Sequence, residues 1–384
     1  MKIAVLGIGT TKFGELWEVS PRILVNEAVN EALRDAKLNL TDIEALFVGN
    51  MLSGILGNQE NLGALFADEL GLSTPAFKIE GACASGGLAV HNAVNSILAG
   101  TYKTCLVVGI EKMTDHKPEE ISQALMAAGH EEERTAGLTF PGLYAILAQA
   151  YMEKYKITEK ELAAISIKNH YHASLNPKAQ FPFEICLEKV LKSAKIADPL
   201  RLLHCSPISD GAAAIILSED RRQKTEDRKP VFIIASTVAT DSLGLAGRKD
   251  LTSLRAAVEA GKKAYQEAGV SPADIDVAEV HDCFSIAEIM ACEDLGFFEK
   301  GKAALEIVKG KTKLGKGRPV INPSGGLKAC GHPVGATGVK QIGEIVSQLR
   351  EEAGKRQVKG AKIGLTHNVG GSGAVAVIHI LSNS

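Results

Sequence analysis

Residues Glu27–Asn50 read EAVNEALRDAKLNLTDIEALFVGN, and residues Glu259–Asp282 read EAGKKAYQEAGVSPADIDVAEVHD. The two stretches align without a gap. Each predicts an amphipathic helix with apolar residues at helical spacing. Each then breaks, at Lys37-Leu38-Asn39 and at Gly269-Val270-Ser271, and an Asp-Ile step leads into a short apolar strand. The order of elements also continues to match. In the first half Ser85-Gly86-Gly87-Leu88 opens a helix to about Leu98, Gly100 stops it, and the strand Cys105–Gly109 follows. In the second half Ser324-Gly325-Gly326-Leu327 leads to a helix from about Gly335 to Arg350, and the strand Ala361–Leu365 follows a polar turn. Helices alternating with apolar strands predict α/β units with buried sheets. Two such halves predict a layered α-β-α-β-α arrangement with pseudo-twofold symmetry.

The expected boundaries are 1–220 for the first half and 231–384 for the second, joined by the charged stretch Glu219–Pro230 (EDRRQKTEDRKP). Residues from about 114 to 205 have no counterpart in the second half. They predict an inserted loop domain, of the kind that shapes substrate sites. The 384 residues exceed what one small core organises, which agrees with a duplicated chain. A formal charge of −2, with basic residues interleaved among acids, argues against a nucleic-acid partner. No apolar run reaches the roughly 18 residues of a membrane helix, and the N-terminal apolar run is too short for a signal peptide, so a cytoplasmic protein is expected. Seven cysteines without a CxxC spacing argue against a zinc finger or iron–sulfur site, and no metal is expected.

Four clusters carry candidate chemistry. Cys83 lies in Glu80-Gly81-Ala82-Cys83-Ala84-Ser85-Gly86-Gly87, where small neighbours admit a ligand and a helix follows directly. A helix N-terminus favours a thiolate, although a buried cysteine at a tight turn fits the same residues. His332 stands between Gly331 and Pro333, which fix its backbone. A histidine held so suits proton transfer from a thiol or donation to an oxyanion, and a plain turn histidine also fits. In His281-Asp282-Cys283-Phe284 the first and third side chains share a face if the segment is extended, which makes an acid/base pair. The run His367-Asn368-Val369-Gly370-Gly371-Ser372-Gly373 is read as following the last strand. It exposes backbone N–H groups suited to an oxyanion hole or to a simple turn. Two other motifs fail. Gly7-Ile8-Gly9 lacks the third glycine of a dinucleotide fingerprint, since position 12 is lysine. Gly335–Lys340 lacks the Ser/Thr of a phosphate loop.

These clusters occur in this order in thiolases, and the chain resembles that family over essentially its whole length. The setting of Cys83 resembles that of the acylated cysteine, and Gly331-His332-Pro333-Val334-Gly335-Ala336-Thr337-Gly338 resembles the active-site histidine loop. Ser206-Pro207-Ile208-Ser209-Asp210-Gly211-Ala212-Ala213-Ala214 fits the same pattern. Two departures place the chain within the family. Many thiolases carry Asn-Glu-Ala-Phe where this chain has His281-Asp282-Cys283-Phe284, and a second catalytic cysteine where it has Asn368. This combination resembles the sterol-carrier-type and archaeal-type thiolases.

The resemblance implies Cys83 as nucleophile, His332 as its activator and an oxyanion donor, Cys283 as acid/base and His281 as a second oxyanion donor. Backbone N–H groups at Cys83 and near Gly370 would hold the first oxyanion. It gives Cys330 no role. It further implies acetyl-CoA acetyltransferase activity, with degradation of a larger or aromatic 3-oxoacyl-CoA as the alternative. Coenzyme A thioesters would be substrates, with no tightly bound cofactor. A homodimer or dimer of dimers is implied, as is association with a zinc-containing OB-fold protein and a hydroxymethylglutaryl-CoA synthase. The stretch Glu111–Arg134 is rich in acids and is a poor grip for the phosphates of coenzyme A. Such a partner would supply part of that site; the acids would otherwise simply face water. Phe140, Tyr144 and Phe181 are candidates to line the acyl pocket. A ketoacyl synthase also uses a cysteine and two histidines, but the HDCF and GHPVGATG strings favour a thiolase. A silent acyl-CoA- or lipid-binding subunit would be expected to lack Cys83, His332 or Cys283, and all three are present.

Overall fold

The computed structural model describes residues 2–219 and 228–384. The expected linker Glu219–Pro230 falls largely outside the described residues.

The first half runs β1 (Ile3–Thr10), α1 (Pro21–Ala36), β2 (Ala45–Gly49), α2 (Leu62–Leu70), β3 (Ala76–Ile79), α3 (Ser85–Leu98) and β4 (Thr104–Glu111). An inserted region follows: α4 (Pro118–Met126), α5 (Glu131–Thr135), α6 (Phe140–Tyr155), α7 (Glu159–Ala173), α8 (Leu187–Lys192), β5 (Lys195–Ala197) and β6 (Leu200–Arg201). The chain then returns to the sheet as β7 (Gly211–Ser218). The second half runs β8 (Phe232–Thr240), α9 (Arg255–Ala268), β9 (Val277–Glu279), α10 (Ser285–Asp294), α11 (Ala303–Val308), β10 (Val320–Ile321), α12 (Gly326–Cys330), α13 (Val334–Leu349), β11 (Ile363–Gly370) and β12 (Val375–Ser382).

The duplicated stretches fold alike down to their caps. Helix α1 ends on Lys37 and α9 on Gly269, both left-handed, with φ of 53° and 69°. Each is followed by one turn of 3-10 helix whose carboxylate reaches back to the backbone N–H at its start, Asp42 to Asn39 (2.8 Å) and Asp274 to Ser271 (2.7 Å). That closed turn satisfies a donor that would otherwise be orphaned, and it aims the chain into β2 or β9.

The strand order is β10-β9-β11-β12-β8-β1-β7-β4-β2-β3. Read outward from the centre, it is the same five-strand pattern twice, β1-β7-β4-β2-β3 and β8-β12-β11-β9-β10. The halves meet through a short antiparallel pairing of Ile3 with Ile233 and Ala4 with Phe232. Helices α3 and α13 both pack between the two halves of the sheet, with α1 and α9 on the outer faces. This is the expected α-β-α-β-α layering.

The close approach of the two central helices explains several glycines. A Cβ on Gly86 would lie 2.6 Å from the Gly335 carbonyl oxygen, and one on Gly338 would lie 2.2 Å from the Gly87 nitrogen. Only glycine permits backbones this near.

The long helix expected from about Gly335 to Arg350 is α13, and between Ser324 and its start lie a short helix, α12, and the turn Gly331-His332-Pro333. One expectation needs correction. The run His367–Gly373 does not follow the last strand. Its first part lies inside β11, and Gly371–Gly373 belong to the turn between β11 and β12.

Candidate active site

The turn carrying Cys83 is short and tense. Ala82 adopts φ of 53°, and its N–H donates to Glu80 Oε1. Such a positive φ is uncommon for any residue other than glycine. Ser85 Oγ ties the turn by donating to the Ala82 carbonyl (2.6 Å) and accepting from Gly81 N–H (3.0 Å). The thiol is thereby held at the start of α3, against the end of β11. Burial pushes it up to about 12, the Glu111 carboxylate adds to this, and the N–H groups of Gly371 and Cys83 oppose it. Loss of water around the sulfur outweighs the pull of the helix N-terminus toward a thiolate.

His332 has its backbone N–H on Ser209 Oγ (2.9 Å) and its Nδ1 2.8 Å from Thr337 Oγ1. Thr337 Oγ1 spends its hydrogen on the Pro333 carbonyl (3.0 Å), so it accepts from His332 Nδ1–H. Nε2 is then left bare, a proton acceptor. Burial lowers His332 to about 3, so the ring is neutral.

His281 is wired the opposite way. Asn368 Oδ1 accepts from Gly87 N–H (3.1 Å), so its Nδ2 donates, to the Cys83 carbonyl (3.0 Å) and to His281 Nδ1 (3.3 Å). An accepting Nδ1 puts the ring hydrogen on Nε2, which is buried without a partner. Burial, then His332 and His367, hold this histidine well below its ordinary range. The two rings meet edge to face at 5.1 Å.

One nitrogen of each ring and the Cys83 sulfur lie within 4.8 Å of one another. This spacing suits a metal, but the hydrogen on His281 Nε2 leaves that nitrogen a donor, not a ligand. The arrangement is fitted to move a proton and stabilise an anion.

All three side chains, with Cys283, open on one cavity of about 230 Å³, walled also by Phe140, Tyr144, Ile196 and Leu202. His281 and Cys283 do face the same way, although the segment lies beyond β9. Burial pushes the Cys283 thiol well up, and the Tyr144 hydroxyl, as a donor to the thiolate, opposes it. Gly371 also lines the cavity. The backbone donor beside Cys83 is thus Gly371, one residue beyond the Gly370 named from sequence. Phe140 and Tyr144 line the cavity as expected. Phe181 does not; it stacks on His170 at 6.1 Å. Cys330 faces a separate polar cavity with Lys178, Lys340 and Arg356.

Three supporting residues escape a reading of the sequence. Asn368 stands out there only as the place of a missing cysteine. Asp282 accepts from the N–H groups of Leu327 (2.7 Å) and Lys328 (3.2 Å), joining the HDCF segment to the helix that delivers His332. Glu111, which opens the acidic stretch, is buried and accepts from the N–H groups of Met51, Leu52 and Gly335 at 3.0, 3.1 and 3.0 Å. Burial raises it to about 7. The other acids of that stretch have local explanations. Glu119, Glu120 and Glu131–Glu133 occupy first turns of helices, where negative charge is favourable. The pattern of apolar neighbours carries no signal for these roles; the one available hint is a carboxylate at the end of an otherwise apolar strand.

A buried thiol, a bare imidazole nitrogen and converging N–H donors at an apolar cavity define an enzyme of acyl transfer through cysteine. The comparisons give the family. Residues 3–221 match the thiolase N-terminal domain and residues 237–383 the thiolase C-terminal-like domain. The chain is 47% identical to an acetyl-CoA acetyltransferase of Methanothermobacter thermautotrophicus over 382 residues, covering 99% of each chain. It is 45% identical to another, from Methanocaldococcus jannaschii, again covering 99% of each. Among solved structures, the Ltp2-ChsH2(DUF35) aldolase superposes with a TM-score of 0.85 at 24% identity, covering 99% of this chain and 97% of that one. The chain belongs to the thiolase family.

Proposed function

We propose that the chain is an acetyl-CoA C-acetyltransferase that joins two acetyl-CoA molecules, or cleaves acetoacetyl-CoA, through an acyl-Cys83. The observation that carries this reading is the opposed wiring of His332 and His281 around one thiol. In the cleavage direction, Cys83 gives its proton to His332 Nε2 and its sulfur attacks the ketone carbonyl of the substrate. The Cys83 and Gly371 N–H groups hold the resulting oxyanion. The bond to the α-carbon breaks, and the departing enolate, its oxygen held by His281 Nε2–H, takes the Cys283 proton. Coenzyme A then gives its thiol proton to the Cys283 thiolate and attacks the acyl group. Cys83 leaves and recovers its proton from His332. Every proton is returned. The reverse sequence is condensation. A thioester α-proton is far less acidic than a thiol, so anion stabilisation must carry most of the barrier reduction.

The test is intact-mass and peptide mapping after mixing with acetoacetyl-CoA, with Cys83→Ala beside it. An acetyl group on Cys83, absent from the variant, is expected. No adduct here but one from a bulkier 3-oxoacyl-CoA would reassign the substrate, and none from either would overturn the reading.

A partner that completes the coenzyme A site, the zinc-containing OB-fold protein implied by the resemblance, belongs to the same proposal, as does a hydroxymethylglutaryl-CoA synthase to consume the product. Ile196 and Leu202 at the cavity wall are 47% and 55% accessible. Apolar exposure of this kind supports a covering surface there. Coenzyme A affinity that is unchanged by such a partner would refute this part. Placement in the cytoplasm accords with the absence, among the described residues, of any helix long and apolar enough to cross a membrane.

A further inference from the structure

Tyr144 comes from α6 of the inserted region, outside both duplicated halves. It is 1% exposed, although it carries a hydroxyl. Its ring stacks on Phe284 at 4.6 Å, so the side chain is held beside the HDCF segment. Its hydroxyl lies 3.3 Å from the Gly371 carbonyl oxygen, a long contact for a hydroxyl donor. Tyr144 and Cys283 line the same wall of the reaction cavity, and a hydrogen bond from this hydroxyl favours the Cys283 thiolate. On the far side, Arg248 binds the Ser372 carbonyl (2.7 Å) and Ser372 Oγ (3.1 Å), which fixes the turn that presents the Gly371 carbonyl. Burial keeps the phenol well above its ordinary range, so it remains a donor throughout.

A donor with one hydrogen and two acceptors can serve only one at a time. When Cys283 is a thiol, a weak acceptor, the carbonyl takes the hydrogen. When Cys283 has given up its proton, the thiolate is the stronger acceptor. The walls around it are apolar, including Phe140, Phe284, Ile196 and Leu202, and among the described residues no lysine or arginine lines the cavity to balance the charge.

We infer that Tyr144 is a catalytic residue of this site: its hydroxyl swings from the Gly371 carbonyl to the Cys283 sulfur and stabilises the thiolate that forms between the two half-reactions. Tyr144 keeps its proton. The proton that leaves Cys283 goes to the α-carbon of the departing enolate, and the one that returns comes from coenzyme A. The inference rests on the reading of Cys283 as the acid/base.

The experiment uses Tyr144→Phe in the full chain. In a Cys83→Ala background, the rate of Cys283 alkylation by iodoacetamide is followed against pH by peptide mapping. Removing the hydroxyl should slow alkylation about tenfold at a given pH, displacing the curve upward by about one unit. An unchanged curve would overturn the inference. With Cys83 intact, thiolysis of acetoacetyl-CoA should fall at least tenfold. Acetylation of Cys83 by 4-nitrophenyl acetate, whose leaving group needs no acid, should stay within about twofold. Equal losses in both would mean that Tyr144 merely pins the turn, and would also overturn it. Should Tyr144→Phe fold poorly, 3-fluorotyrosine at 144, a stronger donor of the same shape, should move the alkylation curve downward, and an upward or null shift would refute the proposal. Cys283→Ala separates the two claims: full thiolysis by that variant would sink the acid/base reading, while the alkylation curve still decides the hydrogen bond.

Discussion

At the scale of the residue, two histidines of identical type do opposite work because their Nδ1 atoms meet different partners. Thr337 accepts from one and Asn368 donates to the other. Replacing Thr337 with valine keeps the shape and removes the acceptor. The hydrogen on His332 Nδ1 is then unsatisfied, at about 1–3 kcal/mol, and the tautomer with Nε2–H competes. Thiolysis should fall about ten- to a hundredfold while Cys83 remains alkylatable at high pH; a change of less than about threefold would refute the assignment of tautomer. The thiol itself makes a second prediction. With Cys83 at about 12 and His332 at about 3, the resting pair is thiol and neutral imidazole. The Cys83 thiol is an acid held above its ordinary range, so its thiolate fraction grows about tenfold for each pH unit below that value. Alkylation of Cys83 should therefore climb steadily from pH 7 to pH 10. A plateau beginning near neutrality would reveal a thiolate–imidazolium pair instead.

Individual elements carry the site by where they start and stop. Cys83 sits at the start of α3, His332 just before α13, His281 just beyond β9, and Asn368 near the end of β11. Strand ends and helix starts converge at the crossing of α3 and α13, and the glycines there set how near they come. Two glycines of α13 separate the packing effect from helix propensity. Gly338→Ala forces a Cβ to within 2.2 Å of the Gly87 nitrogen and 2.4 Å of Asn368 Oδ1. Overpacking of this kind costs about 1–3 kcal/mol, and here it also displaces the residue that orients His281. Gly343→Ala meets nothing nearer than 3.8 Å. It should stabilise the helix by about 0.5–1 kcal/mol. Thermal melts of the two variants should move in opposite directions, and only Gly338→Ala should lose thiolysis; equal effects would discredit the crossing as the reason for Gly338. The long helices α1, α9 and α13 were legible in the sequence because apolar periodicity is strong over several turns. The short helix α12 was not, since it is shorter than two turns. Its N-terminal N–H groups are satisfied by Asp282, from a distant part of the chain.

At the scale of the whole molecule, the halves are not independent bodies. One core cluster joins Ile3, Val5, Val94 and Ile97 of the first half to Val339, Ile342, Leu349 and Leu381 of the second. A fragment of residues 1–219 would expose the inner face of its sheet and of α3. It is expected to lack a cooperative thermal transition; a sharp melt would show that the first half folds alone. The sheet's two edges also differ. Strand β10 is short and buried, whereas β3 is an outer edge carrying Phe77, 40% exposed. An open apolar edge favours pairing with another chain. We predict dimers in sedimentation, shifted toward monomer by Phe77→Asp; an unaltered dimer would move the interface elsewhere.

The sequence by itself determined the duplication, the layering and the four clusters that meet at the cavity. Periodicity, caps and small-residue turns are local properties, and each is written in a few adjacent residues. Only the tertiary structure decided which nitrogen of each histidine bears hydrogen, that Gly371 rather than Gly370 faces the thiol, that Phe181 and Cys330 point elsewhere, and that Glu111 and Asp282 bind backbone from distant segments. It also decided that the Cys83 thiol rests protonated. These outcomes depend on which partners and how much water surround a group once the chain is packed, and no spacing along the chain records either.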